Sequence, residues 1–221
     1  MNYTVDKEKK WDYENGFYLT CGVGRIGKLI NHFEIYKKIL EKPGDILEFG
    51  VFKGTSFMRL LYFRDLLENE SSRKIIGFDI FGKFPQSEKF KEDKNFIEKF
   101  QNNGGEGISK EELDDLIKEK KIQNYELIKG DITKTLPCWL NENPQKRFSL
   151  VHLDVDVYEP SIKTIELVYD RIVPGGILML DDYGTVLGET KAIEEFLEKR
   201  NLRPEFKKVR YYHIPTYIIK Q

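Results

Sequence analysis

Cysteine is nearly absent. Cys21 and Cys138 are the only two in 221 residues and lie far apart in the chain, which excludes the clustered spacings of zinc ribbons and redox motifs and suits a reducing compartment. An excess of one charge is also missing. Lys+Arg 36 against Asp+Glu 37 leaves a net charge of -1, without a block of like charges, so nothing marks a nucleic-acid partner. Apolar runs stay well short of the ~20 residues of a membrane-spanning helix. The opening MNYTVDKEKKWDYENG has no signal-peptide core, so a soluble cytoplasmic protein with no membrane partner is expected. Missing too is the phosphate loop G-x-x-x-x-G-K-[ST]: the glycines of Gly50-Val51-Phe52-Lys53-Gly54 are too close, and Thr55 stands where the lysine should be.

What is present begins at Gly44–Ser56. The apolar stretch Asp45–Phe49 runs into Gly50, and the following turn leads into a helical pattern of Phe57, Leu60, Leu61 and Phe63. A strand, a glycine turn and a helix open a nucleotide-type α/β unit. Gly50 lets the chain turn without a side chain facing a ligand, and Gly54 lets the helix N-terminus approach it. The acidic E-x-G-x-x-x-G form starting at Glu48 suits a cationic or zwitterionic ligand better than a triphosphate. A literal GxGxxG also occurs at Gly22–Gly27. As a dinucleotide fingerprint it would make the protein an NAD-dependent oxidoreductase or nucleotide-sugar enzyme, but the segment before it, Phe17–Cys21, is too polar for a buried parallel strand. The alternative is a glycine-softened lead into an N-terminal helix over the site, with residues 1–17 a polar arm or loop.

Further strands carry acids at their ends. Lys74–Asp79 ends in Asp79, whose carboxylate could accept both hydroxyls of a ribose. Tyr125–Ile132 carries Asp131, suited either to an adenine edge or to capping the helix that follows. Phe148–Leu153 leads to Asp154 and Asp156, which share a face if the strand runs on and are separated if the chain turns after Asp154. Val173-Pro174-Gly175-Gly176 reads as a turn before the strand Ile177–Leu180, which stops at Asp181-Asp182. Two parallel strands thus deliver Asp154, Asp181 and Asp182 to one sheet edge, where converging carboxylates call for a divalent cation such as Mg²⁺. His152, His32 and His213 have no evident partners. Between residues 80 and 124 lies a polar insertion with a helix at about 87–101, a glycine-rich hinge and a second helix capped by Ser109 and Glu112, expected to act as a lid. Phe206–Tyr212 and Thr216–Lys220 read as a terminal hairpin that adds an antiparallel strand.

This order of parts resembles a class I S-adenosylmethionine-dependent methyltransferase. More narrowly, Asn15–Leu19, Arg25–Leu29, Gly44–Gly54, Leu153–Pro160 and Pro174–Gly176 through Asp181–Gly184 resemble the macrocin O-methyltransferase family of sugar methyltransferases. The resemblance implies a single α/β domain over 1–221 with a Rossmann-like, mostly parallel seven-stranded sheet, an antiparallel C-terminal strand and helices on both faces. Residues 1–43 would be a helical cover. S-adenosylmethionine would contact Glu48, Phe49, Gly50, Val51, Gly54, Thr55 and Ser56 at its methionine end, with Glu48 toward the ammonium; it would also contact Asp79, Asp131, Ile132 and Asp154. Mg²⁺ would be held by Asp154, Asp181 and Asp182, and Asp154, Asp156 and Asp182 would carry catalysis on a hydroxyl of a sugar or nucleotide-linked sugar. A catechol-like diol is an alternative acceptor, and a non-catalytic adenosine-ligand module an alternative function. The Tyr/Phe-rich N-terminal segment could serve a homo-oligomer.

Overall fold

A computed structural model describes residues 5–85 and 90–221, with the side chains of residues 91 and 92 also left undescribed; the first residues of the helix expected from about 87 lie outside the described residues. Seven strands form one sheet in the order β3-β2-β1-β4-β5-β7-β6. They are β1 (Asp45–Phe49), β2 (Ile75–Asp79), β3 (Tyr125–Lys129), β4 (Phe148–Leu153), β5 (Ile172–Leu180), β6 (Lys207–Lys208) and β7 (Thr216–Ile219). The first five are parallel, and β7 runs antiparallel to β5. The order reverses between β1 and β4, so the loops after these strands open a crevice at the C-terminal sheet edge, where ligands bind in such sheets.

The central strands are continuously buried, as expected of a sheet covered on both faces. Leu47, Phe49, Phe78, Val151, Leu153, Leu178 and Leu180 face one core, shared with α6 (Ile132–Glu142), α7 (Tyr158–Val168) and α8 (Leu187–Lys199). Ile46, Leu150, Ile177 and Met179 face the other, shared with α2 (Val23–Lys37), α3 (Thr55–Leu67) and α5 (Lys110–Glu119). This two-residue alternation also sorts the polar residues at the strand ends.

Four expectations change. Residues 10–17, expected as part of a polar arm or loop, lie in α1 (Lys10–Thr20), which buries none of its residues. Gly24 and Gly27 then lie inside α2 rather than in a strand-to-helix turn. A Cβ on Gly24 would stand 2.6 Å from the Tyr212 ring, and one on Gly27 2.6 Å from the Tyr211 carbonyl. These glycines allow helix-to-chain contact, and Asn31 fastens the same contact by donating to the Tyr212 and Ile214 carbonyls at 3.0 and 2.8 Å. The dinucleotide reading of Gly22–Gly27 fails because no strand precedes it. Val173–Gly176, expected as a turn, is absorbed into β5 where the register against β4 shifts. The first strand of the expected hairpin shrinks to Lys207–Lys208.

The insertion forms α4 (Lys91–Gly104) and α5. Ser109 Oγ caps α5 by accepting from the Glu112 N–H, while Glu112 itself accepts from the Val5 N–H at 2.8 Å. Ile108 N–H donates to the Phe52 carbonyl at 2.9 Å, and Lys53 Nζ to the Gly104 carbonyl at 2.6 Å. Asp93, on α4, accepts from the Tyr158 N–H at 2.9 Å. The insertion therefore spans the sheet edge from the glycine turn to the start of α7. No helix among the described residues is long and apolar enough to cross a membrane.

Candidate functional site

The turn after β1 is held by the acid after β2. Gly50 donates to the Phe78 carbonyl at 3.0 Å. Asp79 Oδ2 accepts from the Val51 and Phe52 N–H groups at 2.8 and 2.9 Å, and Oδ1 from Phe81 N–H at 2.5 Å. Burial pushes the Asp79 carboxyl upward despite these three donors. The residue expected to meet a ribose is thus also the strut of the glycine turn, where Phe52 is in the left-handed region at φ 51. Asp131 caps α6, accepting from the Thr133 N–H at 3.0 Å and from its hydroxyl at 2.7 Å. Gly130 N–H binds the Asp79 carbonyl at 2.9 Å, so the tips of β2 and β3 lie side by side.

At the tips of β4 and β5 the chain turns after Leu153. Asp156 is in the left-handed region at φ 62, and Val157 N–H meets the Val155 carbonyl at 2.6 Å. Such a conformation costs roughly 1–3 kcal/mol in a non-glycine residue. It does not separate the two acids: Asp154, Asp156 and Asp182 each offer an oxygen, all within 4.8 Å of one another. Burial and then the Asp154 charge push Asp156 up to about 8. Burial and neighbouring carboxylates also push Asp154, Asp182 and Glu189 well above the usual range. Asp182 Oδ2 and Glu189 Oε2 are buried without a hydrogen-bond partner. Hard, crowded oxygen donors with unmet acceptor capacity fit a divalent cation.

Asp181 faces elsewhere. It follows Met179 and Ile177 in parity, whereas Asp182 follows Leu180, so adjacent residues leave the sheet on opposite faces. Lys28 Nζ donates to Asp181 Oδ2. Asp181 Oδ1 lies 3.5 Å from His152 Nε2 and 3.6 Å from His32 Nε2. Despite its burial, Asp181 is held well below the usual carboxylate range by His152, His32 and Lys28. Glu48, expected to face a ligand ammonium, is fully buried; its Oε1 lies 3.0 Å from His152 Nδ1, its register neighbour in β4. His152 is raised to about 10: burial lowers it, but the Asp181 and Glu48 carboxylates more than compensate. His32 is lowered to about 3, chiefly by burial.

The convergence of Lys28, His32, His152 and Glu48 behind the acids escaped the sequence reading. Alternation pairs Glu48 with His152 once β1 and β4 are known to be neighbours. The arrival of Lys28 and His32 depends on how α2 packs, which no local pattern encodes.

The matches to known proteins follow this geometry. A relative from Streptomyces olivaceus, 8-demethyl-8-(2,3-dimethoxy-alpha-L-rhamnosyl)-tetracenomycin-C 4'-O-methyltransferase, is 27% identical over 151 residues, 64% of this chain; the chain spans about half, 53%, of that relative's length. Mycinamicin III 3''-O-methyltransferase from Micromonospora griseorubida is 24% identical over 206 residues, 90% of this chain and 78% of the relative. Among solved structures, the calicheamicin methyltransferase CalS11 superposes with a TM-score of 0.71 at 22% identity, covering 99% of this chain and 87% of its own, which bears on the fold. The family model Macrocin-O-methyltransferase (TylF) matches residues 10–214. The chain belongs to the macrocin O-methyltransferase family.

Proposed function

We propose that the protein is an S-adenosylmethionine-dependent O-methyltransferase acting on a hydroxyl of a sugar or nucleotide-linked sugar, with Mg²⁺ assistance. The observation that carries this is the Asp154–Asp156–Asp182 cluster at the tips of β4 and β5, next to the glycine turn that Asp79 braces. The relatives named for sugar O-methylation support the acceptor class.

When bound, S-adenosylmethionine would supply an electrophilic methyl group and Mg²⁺ would make an acceptor hydroxyl more acidic. Gly50, Val51, Gly54, Thr55 and Ser56, with Phe49 and Ile132 at neighbouring strand and helix ends, would border the donor; Asp79 and Asp131 stand at the tips where its ribose and adenine would lie. Asp154 and Asp182 would hold the metal; Asp181, expected as a third ligand, is turned to Lys28, His32 and His152. Asp156, the third acid within reach, would accept the hydroxyl proton. A base with a pKa near the working pH is effective in that role. Lys28, beside Asp181, would offset surplus negative charge; the insertion from α4 to α5 would close over the acceptor and exclude water. The exposed Trp11, Tyr18 and Leu19 of α1 support the expected homo-oligomer, which sedimentation tests.

The test is transfer of labelled methyl from S-adenosylmethionine to a panel of nucleotide sugars, glycosides and catechols, with Mg²⁺ or with EDTA. Transfer to sugars that EDTA abolishes is the expected result. Full turnover by Asp154→Asn and Asp182→Asn in EDTA would sink the metal-assisted mechanism, and donor binding without transfer to any acceptor would favour the binding-module reading.

A further inference from the structure

His32 comes from α2, His152 from β4 and Asp181 from the end of β5, and all three are buried to 3% exposure or less. One donor atom from each lies within 4.8 Å of the other two. His32 Nε2, His152 Nε2 and Asp181 Oδ1 each lack a hydrogen-bond partner, although buried polar atoms are normally satisfied. The separations of 3.5 and 3.6 Å to Asp181 Oδ1 are long for hydrogen bonds. They are close to the ligand-to-ligand edge of about 3.3 Å in a tetrahedral site with bonds of about 2.0 Å.

We propose that His32, His152 and Asp181 form a binding site for a divalent transition-metal cation of the zinc type, separate from the acidic site for Mg²⁺. Two imidazole nitrogens and one carboxylate oxygen favour Zn²⁺ and its neighbours over Mg²⁺, which prefers oxygen alone. The surroundings of His152 and Asp181 match what such sites need, while His32 Nδ1 is buried without a partner. Glu48 Oε1, 3.0 Å from His152 Nδ1, orients that ring so that Nε2 faces the metal, the carboxylate–histidine arrangement common around zinc. Lys28 fixes Asp181 through the other oxygen, Oδ2. An ion here would tie α2 to β4 and β5 and lock the N-terminal cover onto the sheet edge.

The full chain, stripped with chelator and then saturated with Mg²⁺ to fill the acidic site, is titrated with Co²⁺, whose visible d–d bands report tetrahedral coordination. A parallel Zn²⁺ equilibrium dialysis gives stoichiometry by elemental analysis. The expected result is a single Mg²⁺-resistant equivalent with tetrahedral bands. Glu48→Gln should weaken it about 10–100-fold, as loss of a carboxylate behind a ligating histidine does elsewhere, and His32→Gln should lose the bands. Absence of Mg²⁺-resistant binding in the wild-type chain would overturn the proposal and leave His152 as an imidazolium between Glu48 and Asp181. Bands that survive His32→Gln would overturn it as well. The wild-type titration decides even if a variant misfolds.

Discussion

Replacing Gly50 with alanine tests whether β1 and β4 must touch at the site. The added Cβ would stand 1.7 Å from the Asp154 carbonyl oxygen and 2.7 Å from its carbon, both backbone atoms, at a residue with φ +91. The left-handed conformation costs an alanine about 1–2 kcal/mol. Relief of the overlap requires the β4 tip to retreat by about 1.5 Å or more to reach van der Waals contact. That would break the Asp154 N–H to Phe49 carbonyl bond of 2.9 Å, worth about 1 kcal/mol, and add roughly 1–3 kcal/mol of packing strain. The sum, about 3–6 kcal/mol, is a large part of the ~5–15 kcal/mol by which domains are stable. Gly16→Ala is the control, because nothing lies within 4 Å of its Cβ position and alanine favours the α1 helix by about 0.5–1 kcal/mol. Urea denaturation at unchanged slope reads both changes. A Gly50→Ala protein within about 1 kcal/mol of wild type would refute the reasoning. If the variant folds, a shift of about 1 Å at Asp154 should cost methyl transfer on the order of 100-fold.

Arg64→Met should cost about 2–5 kcal/mol by leaving buried carbonyls unpaired: the fully buried guanidinium donates to the Gln123 and Asn124 carbonyls at 2.8 Å and the Arg73 carbonyl at 3.4 Å, and thermal unfolding would show it. Stability in EDTA should fall as pH rises from about 4 to about 8. Asp156, raised to about 8 by burial and Asp154, keeps a proton when folded that the unfolded chain releases near 3.9, so the folded state loses ground through that window. Saturating Mg²⁺ should flatten the profile and Asp156→Asn make it shallower, since Asp154, Asp182 and Glu189 are raised as well, and an unchanged slope in both would contradict the proposed electrostatics. Gly27→Ala should cost roughly 1–3 kcal/mol through its 2.6 Å clash with the Tyr211 carbonyl, with no change in nicotinamide-cofactor binding by fluorescence titration.

Much was legible without coordinates because it was local. The strand β1, its glycine turn and the start of α3 are encoded within Gly44–Ser56. The acids closing β2, β4 and β5 follow from apolar runs that stop at Asp79, Asp154 and Asp181. The misread segments were those where tertiary contact overrides local signal. Glycines at 24 and 27 imitate a cofactor loop but serve the approach of Tyr211 and Tyr212. Pro174-Gly175-Gly176 imitates a turn, but backbone bonds to Lys220, just past β7, hold it in β5: Gly175 N–H meets the Lys220 carbonyl at 2.7 Å and Lys220 N–H the Gly176 carbonyl at 2.8 Å.

By itself the sequence determined a doubly covered parallel sheet and the delivery of carboxylates to its C-terminal edge, because strand burial and strand ends are written in contiguous residues. Only the tertiary structure decided how those carboxylates divide. Asp156 joins Asp154 and Asp182 because a left-handed residue folds the chain back, and Asp181 turns to Lys28, His32 and His152 because successive residues of β5 face opposite sides of the sheet and α2 packs on one of them. The partners of a buried charge come from distant parts of the chain, and their meeting is a property of packing.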